Sequence, residues 1–448
     1  MARSNAAPLD SAILRYAIAL KAGDRAGVDA ALDRLAGGPL NFMAPVLRAW
    51  VAQDRGGDPF APLAAASGPL GGRYAAEHRG LLLIHRGQVD EGLAVLQPLI
   101  EAPRSNDLRI DAAFLLGLSG RRDRARDLLL GDGAQAKALR DRLGRGTTRP
   151  GAALGSAWLF LSIAADLAGE QAPPEVSVLL TRSALLLEPG DDRLRLYLAE
   201  ALSKLGMTDL ALTVLAEVRR DSPFAQGAIV SRISVLDRAG REDEALVLAK
   251  VQAERRDAGW QDAATYGDLL SDEGQHAAAA TAYRAAIDRG GADSWSLHYR
   301  RGVALDTAGD WPGAEAALRK AIELGPREAK PLSTLGSAMV RRGQQLAEAQ
   351  TLLERANRLK PDDAAIIDSL GWAYFMAGDT VRALPLLEKA ARGDPGGSLV
   401  NEHLGDVYWQ LGRRVDARYA WNAASIYADS ATVGRIAAKI ENGPRALN

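Results

Sequence analysis

Histidines and clustered carboxylates are the side chains of this 448-residue chain best placed for chemistry, and cysteine is absent. His78, His85, His276, His298 and His403 are dispersed, except that the first two stand seven residues apart and would share one helix face. A transition-metal site gathers three or four ligands. No further ligand accompanies this pair, so no metal is expected. The chain has no HExxH, no GxxxxGK[ST], no strand-borne GxGxxG and no GxSxG. That removes zinc peptidase, P-loop, dinucleotide-fold and serine-hydrolase chemistry. Without cysteine there is no thiol nucleophile, disulfide or Cys-ligated cluster. Asp191–Asp192, Asp272–Glu273 and Asp362–Asp363 pair carboxylates at expected helix starts or turns. There each would complement a helix N-terminus, worth about 0.3–1 kcal/mol. No catalytic residue and no cofactor is expected: the chain reads as a non-enzyme.

What remains is surface and scaffold. Hydrophobic residues make up 47% and charged residues 25%, a globular composition that excludes disorder and collagen. Lys+Arg 55 against Asp+Glu 56 leaves no general basic surface for nucleic acid. Aromatics are only 5%, which favours helices packed through small residues over β-sandwiches. The longest uncharged stretch, 150–165, has 16 residues with Gly, Ser and Pro. A bilayer-spanning helix needs about 20 apolar residues, so a buried helix is expected there. Residues 1–9, MARSNAAPL, lack the apolar core of a signal peptide. The chain is therefore expected to be cytosolic or to have lost an export signal. Zero cysteine fits an oxidising compartment, and fits equally a lineage that seldom uses the residue.

The dominant signal is a period. Gly206, Gly240, Gly274, Gly309, Gly343, Gly378 and Gly412 are spaced by 34, 34, 35, 34, 35 and 34 residues. Small residues precede them by seven (Gly267, Gly302, Gly336, Gly371, Gly405), and Ala383 and its equivalents follow by five. Pro189, Pro223, Pro326, Pro361 and Pro395 close units. Such a repeat marks a solenoid of helix pairs. The glycine caps the first helix in the left-handed conformation, the small residues admit the partner helix, and proline stops the second helix. One unit is out of phase: after Gln344–Gln345, Ala349 rather than Glu348 fills the small site. Gly23, Gly56, Gly87 and Gly120 keep a looser rhythm, with Gly80 and Leu96 in phase around Gly87. Residues 131–151 break it. The expected organisation is degenerate helical repeats over 1–130, a joint at 131–151, a regular array over 152–428, and a capping helix and tail over 429–448.

These positions resemble the tetratricopeptide repeat. Ile367, Leu370, Gly371, Tyr374, Ala383, Leu387, Ala390 and Pro395 match it throughout, and Leu404, Gly405, Tyr408, Ala417, Trp421 and Ala424 match in the next unit. The resemblance implies an all-α solenoid of about twelve helix pairs in a right-handed superhelix. It also places the second, fifth, ninth, twelfth and thirteenth positions of each unit on a concave face. Those are Ala365, Asp368, Trp372, Phe375 and Met376, then Leu399, Glu402, Asp406, Trp409 and Gln410. Upstream they include Asp268, Asp272, Tyr299, Val303, Asp306, Ser333, Ser337 and Arg341. Aromatics beside carboxylates on such a face suit a peptide groove, and an acidic floor would favour a basic or neutral partner. The Lys and Asn of chaperone-tail clamps are missing: Asp368 and Trp372, Glu402 and Asp406, Ser333 and Ser337 fill those slots.

Segments 366–390, 401–421, 309–324 and the turn Ser222–Phe224 are further similar to bacterial repeat proteins. Those resemble the outer-membrane lipoprotein adaptors of carboxyl-terminal processing proteases. The resemblance implies a protein-interaction adaptor recruiting such a protease, its peptidoglycan hydrolase substrates, or both. It implies a periplasmic place, with outer-membrane association only through a lipid anchor that this chain does not carry. A cytoplasmic scaffold for an unrelated complex is the alternative. Partners are expected to be proteins or peptides, including another copy of the chain, and not nucleic acid.

Overall fold

The computed structural model describes residues 9–102, 106–131, 133–144, 149–169 and 172–444, and among these all regular structure is helical. No helix is long and apolar enough to cross a membrane. All eleven glycines expected to close a helix have positive φ, from 63° to 88°, the region that side chains with a Cβ avoid. Where the phase slips, Gln345 is forced to φ 50°, the one non-glycine with positive φ among the described residues. Asp191 and Asp363 cap helices by accepting backbone N–H groups, as do Asp24, Asp310, Asp379 and Asp429. Asp272 and Glu273 instead lie where a helix ends.

The chain divides into two compact units, 1–245 and 246–448. The expected joint at 131–151 does not separate bodies. It carries the helix Ala134–Arg142, with residues 132 and 145–148 outside the described set. The next helix, Ala152–Ala168, then packs against Leu9–Ala22, Ala44–Asp54, Gly68–His85 and Asn106–Leu118. This is the uncharged stretch. It is buried around most of its circumference, with Leu159, Phe160 and Trp158 between 0% and 3% exposed. An all-round apolar helix must be enclosed, and here it is the centre of the first unit. Gly155 lies flat against the Trp50 ring, Tyr16 and Ser156 share a hydrogen bond of 2.7 Å, and Asp54 accepts from the Ala152 amide at 2.8 Å. Leu9–Ala22 also touches Pro174–Leu187, so this unit closes on itself rather than stacking only neighbours.

The second unit is serial. Its helix pairs are Trp260–Asp272 with His276–Ala286, Trp295–Thr307 with Trp311–Leu324, Ala329–Arg341 with Leu346–Leu359, Ala364–Met376 with Thr380–Gly393, and Ser398–Gln410 with Arg414–Ile426. Each first helix packs on its partner, and each second helix on the next pair. Small first-helix residues receive large second-helix ones: Gly267 meets Tyr283, Gly302 meets Leu318, Gly371 meets Leu387 and Gly405 meets Trp421. Gly336 meets Leu353, one residue later than the others, because the extra glutamine intervenes. Gly80 against Leu96 repeats the contact in the first unit. The end helix, Ser430–Asn442, stands where a sixth pair would begin and buries Ile436 against Ala417, Trp421 and Ala424.

Candidate functional site

Successive first helices of the second unit carry the residues that the repeat resemblance expects on an inner wall. Tyr299 is half-buried beside Trp295. Ser333 donates its hydroxyl to the Lys330 carbonyl at 3.1 Å. Trp372, Phe375 and Met376 lie together, with Phe375 8% exposed and the other two half-buried. The Trp372 and Phe375 rings are 4.9 Å apart and tilted by 32°, and Trp372 stacks on His403 at 4.0 Å with 10° between planes.

Most carboxylates of this wall are neutralised from within. Arg300 donates to Asp268 at 2.8 Å, and Asp306 accepts from Arg341 at 2.9 Å and from Arg342. His403 Nδ1 lies 3.0 Å from both oxygens of the buried Asp368. A carboxylate only accepts, so that ring nitrogen carries the proton. Glu402 accepts from Arg435, and Lys439 Nζ reaches both Glu402 and Asp406 at 2.6 Å. Five of the six groove carboxylates thus face five Lys or Arg side chains and one histidine, and among the described residues no ion pair is seen for the sixth, Asp272. The compensation of the five comes from 32 to 37 residues further along the chain, in the next repeat or in the end helix. That spacing was visible in the sequence, but His403, Arg300, Arg342, Arg435 and Lys439 fall outside the five groove positions used to read it.

The expected site residues therefore separate into two groups. Tyr299, Asp306, Ser333, Trp372 and Met376 are half-buried, Asp368 and Phe375 are buried at 4% and 8% exposure, and the Arg341 side chain is 60% exposed. Glu402, Asp406 and Trp409 meet the chain's own end instead. Glu402 is 2% exposed under Arg435 and Lys439. Asp406 also accepts from Trp421 Nε1 at 3.0 Å, and burial raises its pKa above the ordinary carboxylate value despite Lys439. Trp409 packs on Trp421 at 5.3 Å, carries the Arg414 guanidinium 3.7 Å above its ring, and abuts Gly443. A terminal helix must cover the apolar end of a solenoid; here it takes the inner carboxylates with it.

His78 and His85, the pair with metal-like spacing, both face Trp50. Its Nε1–H donates to His78 Nδ1 at 2.9 Å, and the His85 ring centroid lies 6.1 Å away. Burial lowers the His78 pKa to about 3, so its ring is neutral.

The chain is similar to known repeat proteins. The tetratricopeptide repeat model matches residues 267–329, 334–398 and 370–431. A tetratricopeptide repeat-containing protein of Pseudomonas aeruginosa, PA4667, is 31% identical over 200 residues, 44% of this chain. The chain spans about a third (33%) of the length of that relative. Among solved structures, the C-terminal part of a repeat protein from Cytophaga hutchinsonii is 21% identical, covering 53% of this chain and 98% of its own, with a TM-score of 0.41. The protein TTC0263 of Thermus thermophilus is 20% identical over 41% of this chain and all of its own, with a TM-score of 0.36. The tetratricopeptide repeats that the family model supports lie within residues 267–431, in the second unit.

Proposed function

We propose that the inner wall of the second unit holds a polypeptide segment and that the protein is a non-catalytic adaptor. Tetratricopeptide arrays are interaction scaffolds whose first helices offer a long binding surface. The observation that carries the reading is the Trp372 platform. Its ring stacks on His403 and contacts Phe375, so it is pre-ordered before any partner arrives. A rigid aromatic anchor costs little further entropy on binding. Because the flanking charges are compensated internally, the wall selects by shape and hydrogen bonding more than by net charge. A neutral segment fits it, with Arg341 available to a carbonyl or carboxylate.

The client is a carboxyl-terminal processing protease of the periplasm, its cell-wall hydrolase substrates, or both, gathered on one scaffold. The resemblance of segments 309–324, 366–390 and 401–421 to protease-adaptor lipoproteins supports this. Affinity capture from envelope extract tests it with two baits, the native chain and Trp372→Ala. The native bait should enrich a processing protease or wall hydrolase, and the variant should lose it. Enrichment of neither class by the native chain would remove the protease assignment.

A further inference from the structure

The first unit contains a cavity of about 870 Å³ that repeat packing does not require. Ligand sites in proteins have this size and combine apolar walls with a few polar groups. Phe42 and Tyr74 stack along one side, and Trp158 and Tyr197 line the cavity further on. The polar groups are unbalanced. Glu77, Asp107, Asp111 and Asp166 face it with only Arg73 and Arg193.

Both guanidiniums are already engaged. Arg193 gives Nη2 to Asp111 at 2.7 Å and uses its other nitrogens on Asp191 and Asp107. Arg73 pairs with Glu77 at 3.3 Å and with Asp166. Tyr74 and Tyr197 donate to Asp166 and Asp107 at 2.6 and 2.8 Å. Burial pushes the Glu77 carboxyl up to about 7 and that of Asp111 to about 8. Burial outweighs the arginine that each of these acids faces.

A second observation points to a guest. His78 is 1% exposed and borders the same cavity. Its Nδ1 accepts from Trp50, so the neutral ring carries its proton on Nε2. A ligand oxygen within the cavity would accept from that donor.

We propose that this cavity binds an organic cation, an ammonium or guanidinium on an apolar stem, with an oxygen of the same molecule accepting from His78. A basic peptide side chain and a free amine share that chemistry. Titration calorimetry on the full chain separates them with three probes: Nα-acetyl-lysine N-methylamide, butylamine and butanol. Both amines should bind and release protons, seen as heats that depend on buffer ionisation, because the cation ionises the raised carboxyls. Tighter binding of the blocked lysine by about tenfold identifies a peptide side chain, and equal affinity a free amine. Glu77→Gln should weaken both amines about tenfold. Ala165→Leu, which narrows the cavity without changing its charge, should abolish binding with helicity unchanged. Butanol binding as tightly as butylamine would overturn the proposal. So would no binding of either amine up to about 10 mM, or native-like binding by both variants.

Discussion

Lys439→Met isolates what holds the end helix over the inner wall. Lys439 Nζ is 2.6 Å from both Glu402 and Asp406, whose side chains are 2% and 11% exposed. Removing one partner of a buried pair costs about 3–5 kcal/mol, since the remaining charge stays desolvated. The lower end applies here, because Lys439 keeps some solvent and Arg435 remains on Glu402. The main apolar anchor of the helix is Ile436, fully buried and worth about 1.5–3 kcal/mol. A loss of about 3 kcal/mol therefore matches the anchor, and a terminal element of a repeat array can detach alone. Amide hydrogen exchange should show residues 430–442 losing protection while 364–426 keep theirs. Adding Glu402→Gln and Asp406→Asn, which removes the stranded charges, should restore much of it. Unchanged protection in Lys439→Met would mean that the three-way ion contact contributes nothing, and that apolar packing alone seats the helix.

Three further outcomes follow from other parts of the molecule. Glu77 has a folded pKa of about 7 against an ordinary 4.5, so between these values the folded state binds the extra proton. Stability contributed by this group is present below pH about 4.5 and declines by about 3 kcal/mol as pH rises to 7; urea melts of Glu77→Gln should lack that part of the decline. Gly405→Ala places a Cβ 2.4 Å from the Trp421 ring, which is fully buried and bonded to Asp406. Thermal denaturation should register a loss of about 1–3 kcal/mol. Gln345→Gly relieves the left-handed backbone at φ 50°, and a gain of up to about 1 kcal/mol in the same melts is expected.

The repeat was legible because its causes are local and periodic. A left-handed helix end needs Gly206 or Gly378, and a close crossing needs Gly371 opposite Leu387. The same logic located the slip at Gln344–Gln345, which reappears as the later contact of Gly336 with Leu353. The first unit was harder to read because Ala152–Ala168 is apolar on most of its faces. Such a helix carries no stripe to say which neighbours enclose it, so a joint was expected where the chain enters the core. On the inner wall, residue types gave the aromatics and carboxylates, whereas the cations that neutralise them lie one repeat away. Trp409 and Glu402 could not be assigned to the end helix from groove positions alone. That assignment depends on Arg435, Ile436 and Lys439, three residues on one face of a segment outside the repeat.

The central claim is that the inner wall of the second unit receives another polypeptide. Site-specific photocrosslinking in the native cell addresses it directly, with the reactive side chain at Ser333 on the wall or at Val381, 87% exposed on the second helix of the next pair. A discrete adduct from Ser333, absent from Val381 and lost on adding Trp372→Ala, is the predicted result. Adducts from Val381 with none from Ser333 would place the partner elsewhere and contradict the account.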